Sequence, residues 1–130
     1  MSTRTLEERI THLEDLDAIK QLKARYCEIC DDDHNFSEIT TIFAEDGIWE
    51  GKGIGKASGH QEIVELFKSF QTAISFSQHM VQNPIIEIDG NRARGRWYFS
   101  ACSLFTMVMR DVGRLLVIMN NMSNKMKCGK

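Results

Sequence analysis

An α+β domain, with helices packed on one face of a mainly antiparallel sheet, is the fold class this sequence predicts. Two observations carry that reading. Apolar residues recur at steps of three and four through the stretch ending at Cys30, the stripe of an amphipathic helix. Later, "SFSQHMVQNPIIEIDGNRARGRWYFSA" (Ser75 to Ala101) reads as two strands around a tight turn. Three helical patterns followed by strands place the helices on one side of a sheet.

The first helix runs from about Leu6 to Cys30, with Leu16, Ile19, Leu22, Tyr26 and Ile29 as its buried stripe. Lys20, Lys23 and Arg25 are expected mostly on the opposite face as solvated charges. "DDDHN" (Asp31 to Asn35) then breaks the helix. A second short helix is expected with Ser37 as its cap and Phe36, Ile39, Ile42 and Phe43 as its apolar face. "EDGIWEGKGIGKASG" suggests a short strand at Ile48-Trp49 and then a loop, since glycines interrupt the alternation. "HQEIVELFKSFQTAIS" is a third helix, burying Ile63, Leu66, Phe67 and Phe70. In the closing hairpin, Asp89-Gly90 predicts a type I′ turn, whose central residues tolerate positive φ. The one proline, Pro84, suits an edge strand or a bulge.

Composition limits the function classes. The 130 residues are expected to form a single domain, 1–130, and 42% hydrophobic residues suffice for a core. A formal net charge of -2 gives no electrostatic footprint for nucleic acid or an anionic membrane. No apolar run approaches the roughly 18 residues of a membrane span. "MSTRTLEERITHLEDLD" is charged and helix-like rather than a secretory leader, so a cytoplasmic protein with reduced thiols is expected. Cys27 and Cys30 form a C-x-x-C, but it ends a helix instead of opening one, unlike a redox motif. Cys102 and Cys128 do not supply a second zinc-ligand pair, and no His/carboxylate spacing forms a metal set. His12, His34 and His60 draw no functional reading from their positions.

The order of motifs carries more. "LEDLDAIKQLKARYCEICDD", "FSEITTIFAEDGIWEG", "GHQEIVELFKSF" and "QHMVQNPIIEIDGNRARGRWYF", taken together, resemble the SnoaL-like family of the nuclear transport factor 2-like superfamily. The resemblance covers about residues 10–105. It implies a cone-shaped α+β barrel, in which a strongly curved sheet wraps the N-terminal helices around a deep apolar pocket. Such pockets are default small-molecule sites. The superfamily includes polyketide cyclases, ketosteroid isomerase, scytalone dehydratase, a dehydrochlorinase and dioxygenase small subunits, so fold alone does not name a reaction.

The resemblance also implies site residues. Dehydratase and dehydrochlorinase members use an Asp-His pair, which maps onto Asp32, with Asp31 and Asp33 one register away, and onto His79. His79 would then be general base and acid, with Asp32 orienting it. Tyr26 and Trp49 are candidate cavity residues, and Asn83 shares a strand face with His79 and Val81 by simple alternation. The expected function is a cofactor-independent lyase or isomerase acting on a small hydrophobic or polycyclic molecule. The alternative is a non-catalytic binding or subunit-like domain of the same fold. Family members pair through the outer sheet face, so a homo-oligomer, most simply a dimer, is expected as well.

After "WYFSACSLFT" the resemblance stops, and "MVMRDVGRLLVIMNNMSNKMKCGK" replaces the family's last strands. "GRLLVIM" is expected to give one apolar strand, and Asn120 to Lys130 an irregular end. Codons for Ile118 to Lys130, read two bases later, permit an ending of the family type, which points to a frameshift. The encoding DNA tests this: stops in the shifted frame would dispose of it.

Overall fold

The computed structural model describes residues 3–105 and 115–119. Helix α1 (Leu6–Asp31) opens with a reciprocal cap: Thr5 Oγ1 accepts from the Glu8 N–H, and Glu8 Oε2 accepts from the Thr5 N–H. Its expected bounds hold, and Ile19, Leu22 and Ile29 are buried. Lys23 is not solvated as expected. It is buried too, because it lies between Ile19 and Cys27, four residues from each, on the same helical face.

The second helix shrinks to one 3₁₀ turn, Ile39–Thr41, that starts after Glu38. Ser37 does not cap it; its hydroxyl donates to Asn35 Oδ1 instead. Strand β1 (Ile48–Gly51) pairs antiparallel with β2 (Gly55–Ser58), a strand where the glycines of the sequence predict a loop. Helix α2 (Gly59–Ala73) buries Ile63 and Phe67, with Leu66 and Phe70 half-buried. One core cluster gathers Ile29, Cys30, Ile39, Trp49, Ala57, Ile63 and Phe67, joining α1 and α2 to the small hairpin.

The second sheet has the order β3-β4-β5, with β3 (Ile74–Asp89), β4 (Arg92–Phe105) and β5 (Leu115–Met119), all antiparallel. β5 answers the expected apolar strand, while Asn120 to Lys130 lie outside the described residues. The hairpin loop is Gly90-Asn91, between the paired Asp89 and Arg92, and only Gly90 has positive φ. That matches a type II′ turn rather than the expected I′. Pro84 sits where the register slips between Gln82 and Ile85, a bulge that spares the ladder a missing donor. The indole of Trp97 lies directly over Gly95, leaving no room for a β-carbon there. A second cluster, Ile19, Ala93 and Trp97, holds this part of the sheet to α1.

Candidate functional site

The inward face of α1 decides which acidic residue meets the sheet. Cys27 is buried, and Asp31 follows it by four residues, so the two share a face. Asp32 lies about 100° further round the helix axis. Its carboxylate accepts from Asn35 Nδ2 at 2.9 Å and stays exposed. The expected pairing of Asp32 with His79 is therefore made by Asp31 instead.

Asp31 accepts three hydrogen bonds from one residue. The backbone N–H of His79 donates to Oδ1 at 2.9 Å and to Oδ2 at 3.0 Å. The ring Nδ1–H donates to Oδ1 at 2.6 Å. A carboxylate at Nδ1 keeps the proton there and leaves the lone pair on Nε2. The carboxylate side chain is 30% exposed and the imidazole 11%, so the pair lies at the margin of the core. Next to it, Ser77 Oγ donates to the Cys30 carbonyl at 2.8 Å, a buried bond that fixes β3 against the end of α1.

His34, passed over in the sequence, is the neighbour of this pair. Asp33 and His34 both have positive φ, at 51° and 48°, and this turns the His34 ring back into the core. It packs 5.4 Å from Phe70 and 5.8 Å from Phe67, and edge-on to His79 at 6.0 Å. Only 4% of it is exposed. Burial, then the nearby His79, lowers its pKa to about 4, so the ring is neutral at physiological pH. Its Nδ1 has no hydrogen-bond partner among the described residues. No signal in the chain marked this, because the ring's direction depends on a left-handed turn rather than on periodicity.

Three donors converge here. Ligand atoms of Cys30, His34 and His79 all lie within 4.8 Å of one another. The sequence showed no metal set because these residues come from a helix end, a turn and a distant strand. Burial pushes the Cys30 thiol up to about 12.

Of the other expected residues, Tyr26 and Trp49 meet each other: Trp49 Nε1 donates to the Tyr26 hydroxyl at 2.8 Å. Trp49 also stands edge-on to Phe70, with centroids 5.4 Å apart. Both thus belong to the wall behind His34. Val81 is half-buried against the Trp97 cluster. Asn83 does not follow His79 and Val81 inward. The bulge reverses the alternation, and Asn83 is exposed with φ 51°. It borders an open hollow of about 460 Å³ with Pro84, Ile85, Arg96, Trp97 and Tyr98.

Lys23 is the second buried polar group without a hydrogen-bond partner among the described residues. It is 4% exposed, and its Nζ stands 4.4 Å over the Tyr26 ring. Burial lowers its pKa to about 8.

A long helix lying on an antiparallel sheet, with a carboxylate-imidazole pair where they meet, gives an α+β fold of the cone type. The chain belongs to the SnoaL-like domain family, whose model matches residues 11–118. Solved structures agree on the fold. A candidate aromatic ring hydroxylase from Novosphingobium aromaticivorans is 24% identical, with TM-score 0.76, over 82% of this chain and 78% of that one. A candidate scytalone dehydratase from the same organism is 22% identical, with TM-score 0.70, over 83% and 72%. An NTF2-like protein with a cystatin-like fold, also from that organism, is 20% identical, with TM-score 0.64, over 85% and 75%. No helix among the described residues is long and apolar enough to cross a membrane.

Proposed function

We propose that the protein is a cofactor-independent lyase or isomerase that moves a proton on a small hydrophobic or polycyclic molecule. The observation that carries this is the triple hydrogen bond between Asp31 and His79. His79 Nε2 removes the proton from an activated carbon and returns it to the leaving group or to a second carbon. Asp31 holds the tautomer and stabilises the imidazolium that forms. Phe99, 5.4 Å from the His79 ring, supplies apolar surface beside it, and Phe70 does the same beside His34. The likeness to a candidate scytalone dehydratase supports a dehydration-type reaction.

Thermal-shift screening of hydroxylated polycyclic ketones, followed by turnover assays on hits, tests this. His79→Ala and Asp31→Asn should each lower turnover by about 10²–10⁴-fold, the usual worth of general acid-base catalysis. Asp32→Asn should leave it near wild type. The reading fails if Asp32→Asn is the damaging change, or if His79→Ala turns over normally. The open hollow bordered by Asn83, four residues beyond His79 on β3, favours a second reading, a ligand-binding domain without chemistry. A ligand whose binding survives His79→Ala, with no turnover by the wild type, would select it.

Self-association is part of the same proposal. Phe76, Met80, Tyr98 and Leu104 are exposed large apolar residues of the β3–β4 ribbon, an apolar surface that a second copy could cover. Light scattering at micromolar concentration should give twice the chain mass; a one-chain mass rejects the dimer.

A further inference from the structure

We propose that Cys30, His34 and His79 form a binding site for one borderline-soft divalent cation, with zinc the best fit. The donor atoms already lie within 4.8 Å of one another. In a tetrahedral site with bonds of about 2.0–2.3 Å, ligand atoms are about 3.3–3.7 Å apart. Small side-chain rotations therefore bring these donors onto one ion. Cys30 and His34 stand four residues apart across the end of α1, and the His34 N–H donates to the Cys30 carbonyl at 3.1 Å. That bond and the left-handed turn hold the His34 ring on the same side as the thiol.

Two further observations point to a ligand. His34 is 96% buried (4% exposed), yet its Nδ1 has no partner among the described residues, whereas buried polar atoms are normally satisfied. His79 carries the outer contact typical of a metal-bound histidine, a carboxylate on Nδ1, with Nε2 left to donate. One sulfur and two imidazole nitrogens suit zinc and exclude magnesium or calcium, which take oxygen. Three protein ligands leave a fourth position for water. Binding replaces the Cys30 thiol proton with the metal-sulfur bond, and that proton passes to the buffer; both rings bind neutral. The site stands independently of the proton-transfer reading, but both claim Nε2 of His79, so bound zinc would stop turnover.

The test is titration of the reduced, chelator-stripped full chain with Zn²⁺ against a chromophoric chelator. One equivalent should bind. Cys30→Ser and His34→Gln should each weaken binding by about 100-fold or more, at least the largest loss an outer partner causes. Asp31→Asn should weaken it by about 10–100-fold, and Cys102→Ser should change nothing. Co²⁺ added to the unmodified chain should show a tetrahedral spectrum with a thiolate-to-cobalt band, a readout that needs no variant to fold. The proposal is overturned by no stoichiometric binding, by binding indifferent to Cys30 and His34, or by cobalt lacking the thiolate band. Turnover lost in His79→Ala bears on the catalytic reading alone, because the cation titration uses no substrate.

Discussion

The two ends of β3 are held in place by different forces. At its root, Ser77 and His79 make hydrogen bonds to Cys30 and Asp31, so the strand is tied to the end of α1 by polar groups. Beyond the slip between Gln82 and Ile85, half-buried Ile86 and Ile88 pack the strand onto the Trp97 cluster, and its backbone ladders with β4. Inward residues are odd-numbered at the root, His79 and Val81, and even-numbered past the bulge, Ile86 and Ile88. The difference teaches that chemistry collects where a helix terminus meets a strand, since unpaired backbone groups and acidic side chains both occur there. Past the bulge, apolar packing suffices.

The largest stability effect should come from the wall behind the root. Phe67 is fully buried between α2 and His34, so Phe67→Ala should cost about 3–5 kcal/mol in urea denaturation. It should also disorder the root and lower zinc or ligand binding. A loss under about 1 kcal/mol would mean that the polar bonds alone hold the root.

Lys23 sharpens the comparison from inside α1. Its folded pKa of about 8 lies below the ordinary 10.5. The unfolded chain therefore binds more protons between those values, so this group's contribution raises stability with pH across that window; its penalty is complete below about pH 8. Lys23→Met should raise stability at pH 7 by about 1–3 kcal/mol, and the gain should shrink toward pH 10. An equal gain at both pH values would show that the lysine is not buried as an uncompensated charge.

Ser77→Ala removes the bond to the Cys30 carbonyl and should cost about 1–3 kcal/mol. The smallest effect belongs to the other end. Asn83→Gly relieves a positive φ at an exposed position and should change stability by no more than about 1 kcal/mol, with turnover unchanged. If Asn83→Gly proved the more damaging of these two, the ranking of root over bulge would be reversed.

Much of the architecture was legible in the chain. The spacing of Ile19, Leu22 and Ile29 set α1, and that of Ile63 and Phe67 set α2, because burying one stripe dictates a helix's face. Alternation set the hairpin, and Pro84 marked its bulge. Likeness to the family points to His79, and the structure brings its ring against Asp31. Asp31 was within reach as well, since it continues the face of Cys27, while matching by family spacing landed one residue late. The charge of Lys23 predicts a solvated position, but its angle on the helix, shared with Ile19 and Cys27, buries it. The remainder needed tertiary structure. A bulge exists only against a partner strand, so the turning out of Asn83 could not be read from β3 alone. The direction of His34 depends on two left-handed residues, neither of them glycine, held by α2 and the sheet. The meeting of Cys30, His34 and His79 joins a helix end and its turn to a distant strand, and only chain folding brings such donors together.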